Sequence, residues 1–195
     1  MEMDLRTEIE EYFSRLKRTL DLVPRDELNT FLNLLIKALE EGRHVYIMGN
    51  GGSAATASHF AVDFNKGLSF GKAARFRFIC LSDNIPTITA YANDLTYDDV
   101  FIEQLKNQLE PDDLVIGISG SGNSRNVLKA VNYANSVGAR TLGLTGYDGG
   151  ELKKIAQYGV NVPIADMQVS EDFHMILDHM AYSILGRFLP AEKNG

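Results

Sequence analysis

A chain of 195 residues, 45% hydrophobic and 23% charged, suits one globular domain with a sizeable core. Its formal net charge of −7 excludes broad binding to a nucleic-acid backbone, which needs clustered Lys and Arg, but not a small phosphate held by backbone N–H groups. Cys80 is the single cysteine and permits no intrachain disulfide; the opening MEMDLRTEIEEYF lacks a leader pattern, and no window approaches about 18 apolar residues, so a cytoplasmic chain off the membrane is expected.

The first 42 residues read as two helices. Leu5, Ile9, Phe13, Leu16 and Leu20 form one apolar stripe at helical spacing, interrupted at Pro24 and Arg25. Leu28, Phe31, Leu34, Leu35, Ala38 and Leu39 form a second, which Gly42 ends. A long helix ahead of the first strand has little sheet to cover, so the first stripe either roofs the core or packs against another subunit.

From residue 43 onward, short blocks rich in β-branched and aromatic residues alternate with helical stretches. HVYIM, RFRFICL, DLVIGIS, TLGLTG and YGVNVPI read as strands, with SAATASHFAVDF and SRNVLKAVNYANSVG among the helices between them. That alternation predicts an α/β fold, a three-layer parallel sheet flanked by helices, with ligands at the carboxyl ends of the strands. Cys80, inside FRFICL, reads as core. A last helix is expected from about residue 170 to 188, and the whole chain, 1–195, as one domain.

Two strand ends run into small polar loops. MGNGGS, residues 48–53, opens a helix near Ala54, and GISGSGNS, residues 117–124, opens one near Arg125. Glycines let the backbone approach an anion, serine hydroxyls donate to it, and the following helix start favours negative charge. Neither loop is a dinucleotide fingerprint or a P-loop, and each alone is compatible with ordinary turn and capping chemistry. Two of them in one α/β domain point to a phosphorylated ligand, with the serine-rich second loop as its phosphate cradle.

Titratable residues gather on two helices. His59 and Asp63, spaced i, i+4, share a face, and Glu171, His174, Asp178 and His179 lie on the last helix. Two histidines with several carboxylates suit acid–base chemistry or a metal, whereas His174–Asp178 reads as a surface hydrogen bond. Lys66 and Arg125 read as solvated surface cations, although either has the charge to meet a phosphate.

The segments GNGGSAATASHF, YANDLTYDDVF, GISGSGNSRNVLKA and LTGYDGG resemble the sugar isomerase (SIS) domain family, over roughly residues 5–188, and within it the phosphoheptose isomerases. The resemblance implies a flavodoxin-like sheet, a homotetramer built with the N-terminal helices, and an aldose–ketose isomerase acting on sedoheptulose 7-phosphate. It implies zinc at His59, Asp63, Glu171 and His179, where Asp63 departs from the family's Glu and Glu171 from its Gln. Both departures keep oxygen ligands, but Asp63 is one methylene short, which moves its carboxylate by roughly 1–1.5 Å. The resemblance further places Asn50, Gly51, Gly52, Ser53, Asn93 and Asp94 at the sugar and Ser119, Ser121, Asn123 and Ser124 at the phosphate, with Ser82 beside them.

By the same resemblance, Asp63 removes the carbon proton and His179 shuttles protons between oxygens, the reverse pairing being open and Glu171 the alternative base. Another ketose phosphate is an alternative substrate. A non-catalytic SIS protein that associates with the replication initiator is an alternative function, against which both His59 and His179 are retained. No segment for membrane or nucleic-acid binding accompanies either reading.

Overall fold

The computed structural model describes residues 3–190. Helices α1 (Arg6–Leu22) and α2 (Arg25–Glu40) precede strand β1 (Val45–Met48), followed by α3 (Gly52–Val62) and a π-helical turn (Asp63–Leu68). Strand β2 (Phe78–Cys80), α4 (Ile85–Asp94), a 3-10 turn (Tyr97–Asp99) and α5 (Ile102–Lys106) lead to β3 (Leu114–Ser119). Then come α6 (Arg125–Val137), β4 (Arg140–Thr145), α7 (Leu152–Ile155), β5 (Tyr158–Asn161) and α8 (Met167–Leu185).

Among the described residues the strands form one all-parallel sheet in the order β2-β1-β3-β4-β5. Tyr46 on β1 sits opposite Ile79 on one side and Val115 on the other. Side chains alternate faces along a strand, so the sheet divides two cores. Val45, Ile47, Leu114, Ile116, Leu142 and Leu144 pack with α2, α3 and α8. Tyr46, Met48 and Val115 pack with residues of α5, α6 and α7 on the other face. Burial on both faces explains why these strands read as unbroken apolar runs.

All five expected strands are present, four with shorter ends and β4 shifted one residue earlier, to Arg140–Thr145. The last stops at Asn161 rather than running through Pro163, which lacks an N–H to extend the ladder. Helix α8 begins at Met167, before the expected residue 170, because the Asp166 side chain accepts from Val169 N–H at 3.2 Å and caps it there. Leu5, Ile9 and Phe13 are about half exposed, whereas Leu20 packs against the core, so only the later part of this stripe covers the core within a single chain.

The order of strands reverses between β1 and β3. Their following helices, α3 and α6, therefore leave on opposite faces, and the crevice between the two strand ends is where ligands of such sheets bind.

Candidate active site at the carboxyl ends of β1 and β3

The first loop leaves β1 and turns at Gly51, whose φ of 53° suits glycine, to start α3 at Gly52. Its conformation is held from two sides. Gly49 N–H donates to Ser82 Oγ at 3.2 Å and Ser82 Oγ donates back to Gly49 O at 2.9 Å, so the Ser82 hydroxyl is engaged in holding the loop. Asn50 and Asn126 pair through their amides at 2.9 Å in both directions, and Tyr97 OH donates to Asn50 Oδ1 at 2.8 Å. Ser53 is buried in the first turn of α3.

The second loop is a tight cradle. Ser119 and Ser124 hydroxyls meet at 3.0 Å, and Ser121 is exposed beside them. Gly122 has φ +68°, and a Cβ there would overlap the Gly149 carbonyl, so the GYDGG segment lies directly beneath the loop. Leu152 N–H donates to Gly122 O and Gly146 N–H to Gly120 O, at 2.9 and 2.8 Å. The Asn123 side chain is engaged internally: Oδ1 accepts from Glu151 N–H at 3.1 Å and Nδ2 donates to Ser121 O at 2.9 Å. What the loop offers an anion is therefore its serines, its backbone and the start of α6, a 13-residue helix.

Asn93 and Asp94 end α4, exposed, with Asn93 Nδ2 donating to Asp94 Oδ1 at 2.9 Å. It is Tyr97, a few residues on, that reaches the first loop. Lys66 is exposed, and Arg125 pairs with Asp98 at 2.9 Å, as expected of surface cations.

The first turns of α8 touch both loops. A Cβ at Gly120 would overlap Met167 Sδ, one at Gly146 would overlap Ser170 Oγ, and one at Gly52 would overlap both carboxylate oxygens of Glu171. Glu171 thus stands against the start of α3 within the same chain.

Further along α8, His179 meets α3. Nε2 of His179 and Nε2 of His59 lie 3.2 Å apart. Asp63 Oδ2, on the opening residue of the π-helical turn, is 3.6 Å from His59 Nε2, and Asp178 Oδ2 is 3.8 Å from it. One donor atom from each of His59, Asp63, Asp178 and His179 lies within 4.8 Å of the others. This group can hold a metal ion. Two nitrogens at about 2.05 Å from a tetrahedral centre lie roughly 3.3 Å apart, close to the spacing of the imidazoles.

Asp178 corrects the sequence reading. It and His174 are buried, each 0% exposed, and do not form a surface pair. His174 Nε2 lies 3.3 Å from Thr145 O while its Nδ1 is unpaired, and burial pushes its pKa down to about 4, so it is neutral. Both carboxylate oxygens of Asp178 are unpaired, and burial, reinforced by the charge of Asp63, pushes its pKa up to about 7. The expected fourth donor, Glu171, is outside the group. Eight residues along a helix are about 12 Å of rise and 80° of rotation, which separates Glu171 from His179, whereas Asp178 is its neighbour.

The fold and these loops define the class. A family model described as SIS domain matches residues 10–146, and the chain belongs to that family. Its relatives narrow the assignment. It is 37% identical over 186 residues to a phosphoheptose isomerase of Helicobacter pylori, covering 92% of each chain. It is 35% identical over 184 residues to one from Syntrophotalea carbinolica, covering 93% of each. The structure of phosphoheptose isomerase from Neisseria gonorrhoeae superposes with a TM-score of 0.86 at 26% identity, over 94% of this chain and 100% of that one. The chain stands among the phosphoheptose isomerases and is a sugar phosphate isomerase.

Proposed function

We propose that the chain interconverts sedoheptulose 7-phosphate and a D-glycero-D-manno/altro-heptose 7-phosphate through an enediol. The observation that carries the reading is the placement of α8. Its first turns contact both Gly-rich loops and its middle brings His179 to His59, so phosphate cradle and proton-transfer groups are one assembly. A module that only binds has no need of two imidazoles at 3.2 Å.

In this reading Ser119, Ser121, Ser124, the backbone at Asn123 and the start of α6 hold the phosphate. Asn50, Ser53 and the Gly51–Gly52 backbone hold hydroxyls near the carbonyl, with Asn93 and Asp94 toward the middle of the sugar. A base removes the proton from the carbon next to the carbonyl, the electron pair forms the enediol, and the proton is returned to the former carbonyl carbon. His179 shuttles a proton between the two oxygens. Asp63 and Glu171 compete for the role of base. Asp63 held as a metal ligand is a poorer base, and Glu171 then takes the carbon proton from its place against Gly52.

Zinc is the cofactor of this reading, with His59, Asp63 and His179 among its ligands; when bound, it polarises the carbonyl oxygen. The donor chemistry fits, with two imidazoles and buried carboxylate oxygens that lack a partner. Leu5, Ile9 and Phe13 on α1 are the contact through which a homotetramer forms. No helix among the described residues is long and apolar enough to cross a membrane. A cytoplasmic reaction is part of this proposal.

The test is incubation with sedoheptulose 7-phosphate in deuterated buffer, with and without zinc, followed by NMR. A heptose 7-phosphate carrying deuterium at its second carbon, lost in His179→Ala, is the expected result. No turnover at high enzyme concentration refutes the substrate, and product without deuterium refutes an enediol whose abstracted proton exchanges with solvent before it is returned.

A further inference from the structure

We infer that Asp178, not Glu171, is the fourth metal donor of this chain, leaving Glu171 free to act on the substrate. The inference rests on the metal-assisted reading above and deepens it. Asp178 is 0% exposed and, among the described residues, neither carboxylate oxygen has a hydrogen-bond partner. A buried carboxylate is costly unless paired, hydrogen-bonded or bound to a cation. Among the described residues no backbone N–H or hydroxyl serves this one; what faces it is His59 Nε2 at 3.8 Å and a second carboxylate, Asp63. Two carboxylates side by side repel unless a positive charge lies between them.

The four donors come from two helices in a repeating arrangement. Each helix gives one imidazole and one carboxylate: His59 with Asp63 from the α3 side, His179 with Asp178 from α8. Two neutral imidazoles and two carboxylates balance a divalent cation. Glu171 would bring a third carboxylate to the same ion, and its carboxylate instead lies against Gly52, where a side chain on residue 52 would displace it. The arrangement separates two duties. Asp63 and Asp178 hold the ion, and Glu171 keeps a carboxylate free of the ion beside the first loop.

The test uses purified full-length protein stripped of metal and titrated with cobalt(II), read by visible absorption and by bound metal per subunit. Wild-type protein takes up one cobalt with the intense bands of a four-coordinate site. Asp178→Asn weakens cobalt binding by at least roughly 10-fold, and Glu171→Gln binds cobalt as wild type does while losing turnover. Metal-free melting temperatures verify folding, and Asp178→Ser repeats the measurement in a second background. Loss of cobalt binding in Glu171→Gln with retention in Asp178→Asn overturns the inference, as does a wild-type protein that binds no cobalt. Absent turnover of sedoheptulose 7-phosphate alongside the expected cobalt pattern refutes the substrate assignment and leaves the ligand set standing.

Discussion

Replacing Gly52 with Ala tests how finely Glu171 is placed. An added Cβ lies 2.6 Å from Glu171 Cδ, where ordinary contact begins at 3.4 Å, so the carboxylate must retreat by roughly 1 Å. A misplacement of that size costs about 100-fold in rate when the displaced group takes part in the chemistry. The backbone is not the obstacle, because Gly52 is the first residue of α3 and its φ is outside the left-handed region. Alanine's better helix propensity, worth up to about 1 kcal/mol, offsets part of the crowding, so the melting temperature should move by only a few degrees. The expected outcome is kcat reduced about 100-fold, a smaller change in KM, and unchanged cobalt binding. Gly51→Ala is the contrast. Nothing lies within 4 Å of its Cβ, but φ of 53° is strained for alanine, which costs roughly 1–3 kcal/mol in stability. Full kcat in Gly52→Ala would refute the assignment of Glu171 to the chemistry.

In metal-free protein, Asp178 makes stability fall with rising pH. Its folded pKa of about 7 exceeds the ordinary 3.8, so the folded state holds a proton that the unfolded chain releases in that window. The contribution is complete below about 3.8 and lost as pH passes about 7, some 4 kcal/mol in all; denaturation of Asp178→Asn at pH 5 and 8 should lack that loss. His174 acts oppositely, because its folded pKa of about 4 lies below 6.5 and its stabilisation disappears as pH falls through about 4; His174→Gln should unfold at lower pH than wild type. Ile9→Glu with Phe13→Glu should yield a smaller particle by light scattering, and a monomeric wild type would sink the proposed role of α1. Asn126→Ala removes the buried amide that pairs with Asn50, so KM should rise and stability fall by about 1–3 kcal/mol, measured by denaturant titration.

The layers of the fold are legible in the sequence because strands covered on both faces must be apolar throughout. DLVIGIS and TLGLTG show this, and their neighbours supply the helical period. The Gly and Ser at two strand ends were equally visible, since the approach of backbone to an anion restricts residue choice. The start of α8 was not, because Asp166 is one polar residue among several and only folding shows which one caps. Asp178 was hidden for a related reason. A His–Asp pair four apart has the same spacing on a solvated helix as on a buried one, and the burial of α8 is a tertiary fact. Asn126 and Tyr97 leave no local signature, because their meaning lies in where Asn50 is brought by the sheet. Glu171 and His179 lie eight residues and about 80° apart around α8, and the gathered donors pair His179 with its neighbour Asp178.

The donors on α3 and α8 also join the two ends of the fold. His59 and His179 are 120 residues apart in the chain, and every strand after β1 lies between them. An ion gripped by both helices closes that long loop as a covalent staple would. Its binding energy then belongs to folding, adding about 2.7 kcal/mol when the free ion stands at 100 times its dissociation constant. A chain lacking α8 loses Phe173, Leu177 and Ala181 from the core and carries only half of the donors. If the proposed ion binds there, its uptake would record that the last helix has arrived, and its scarcity would be felt first at the contact between α3 and α8.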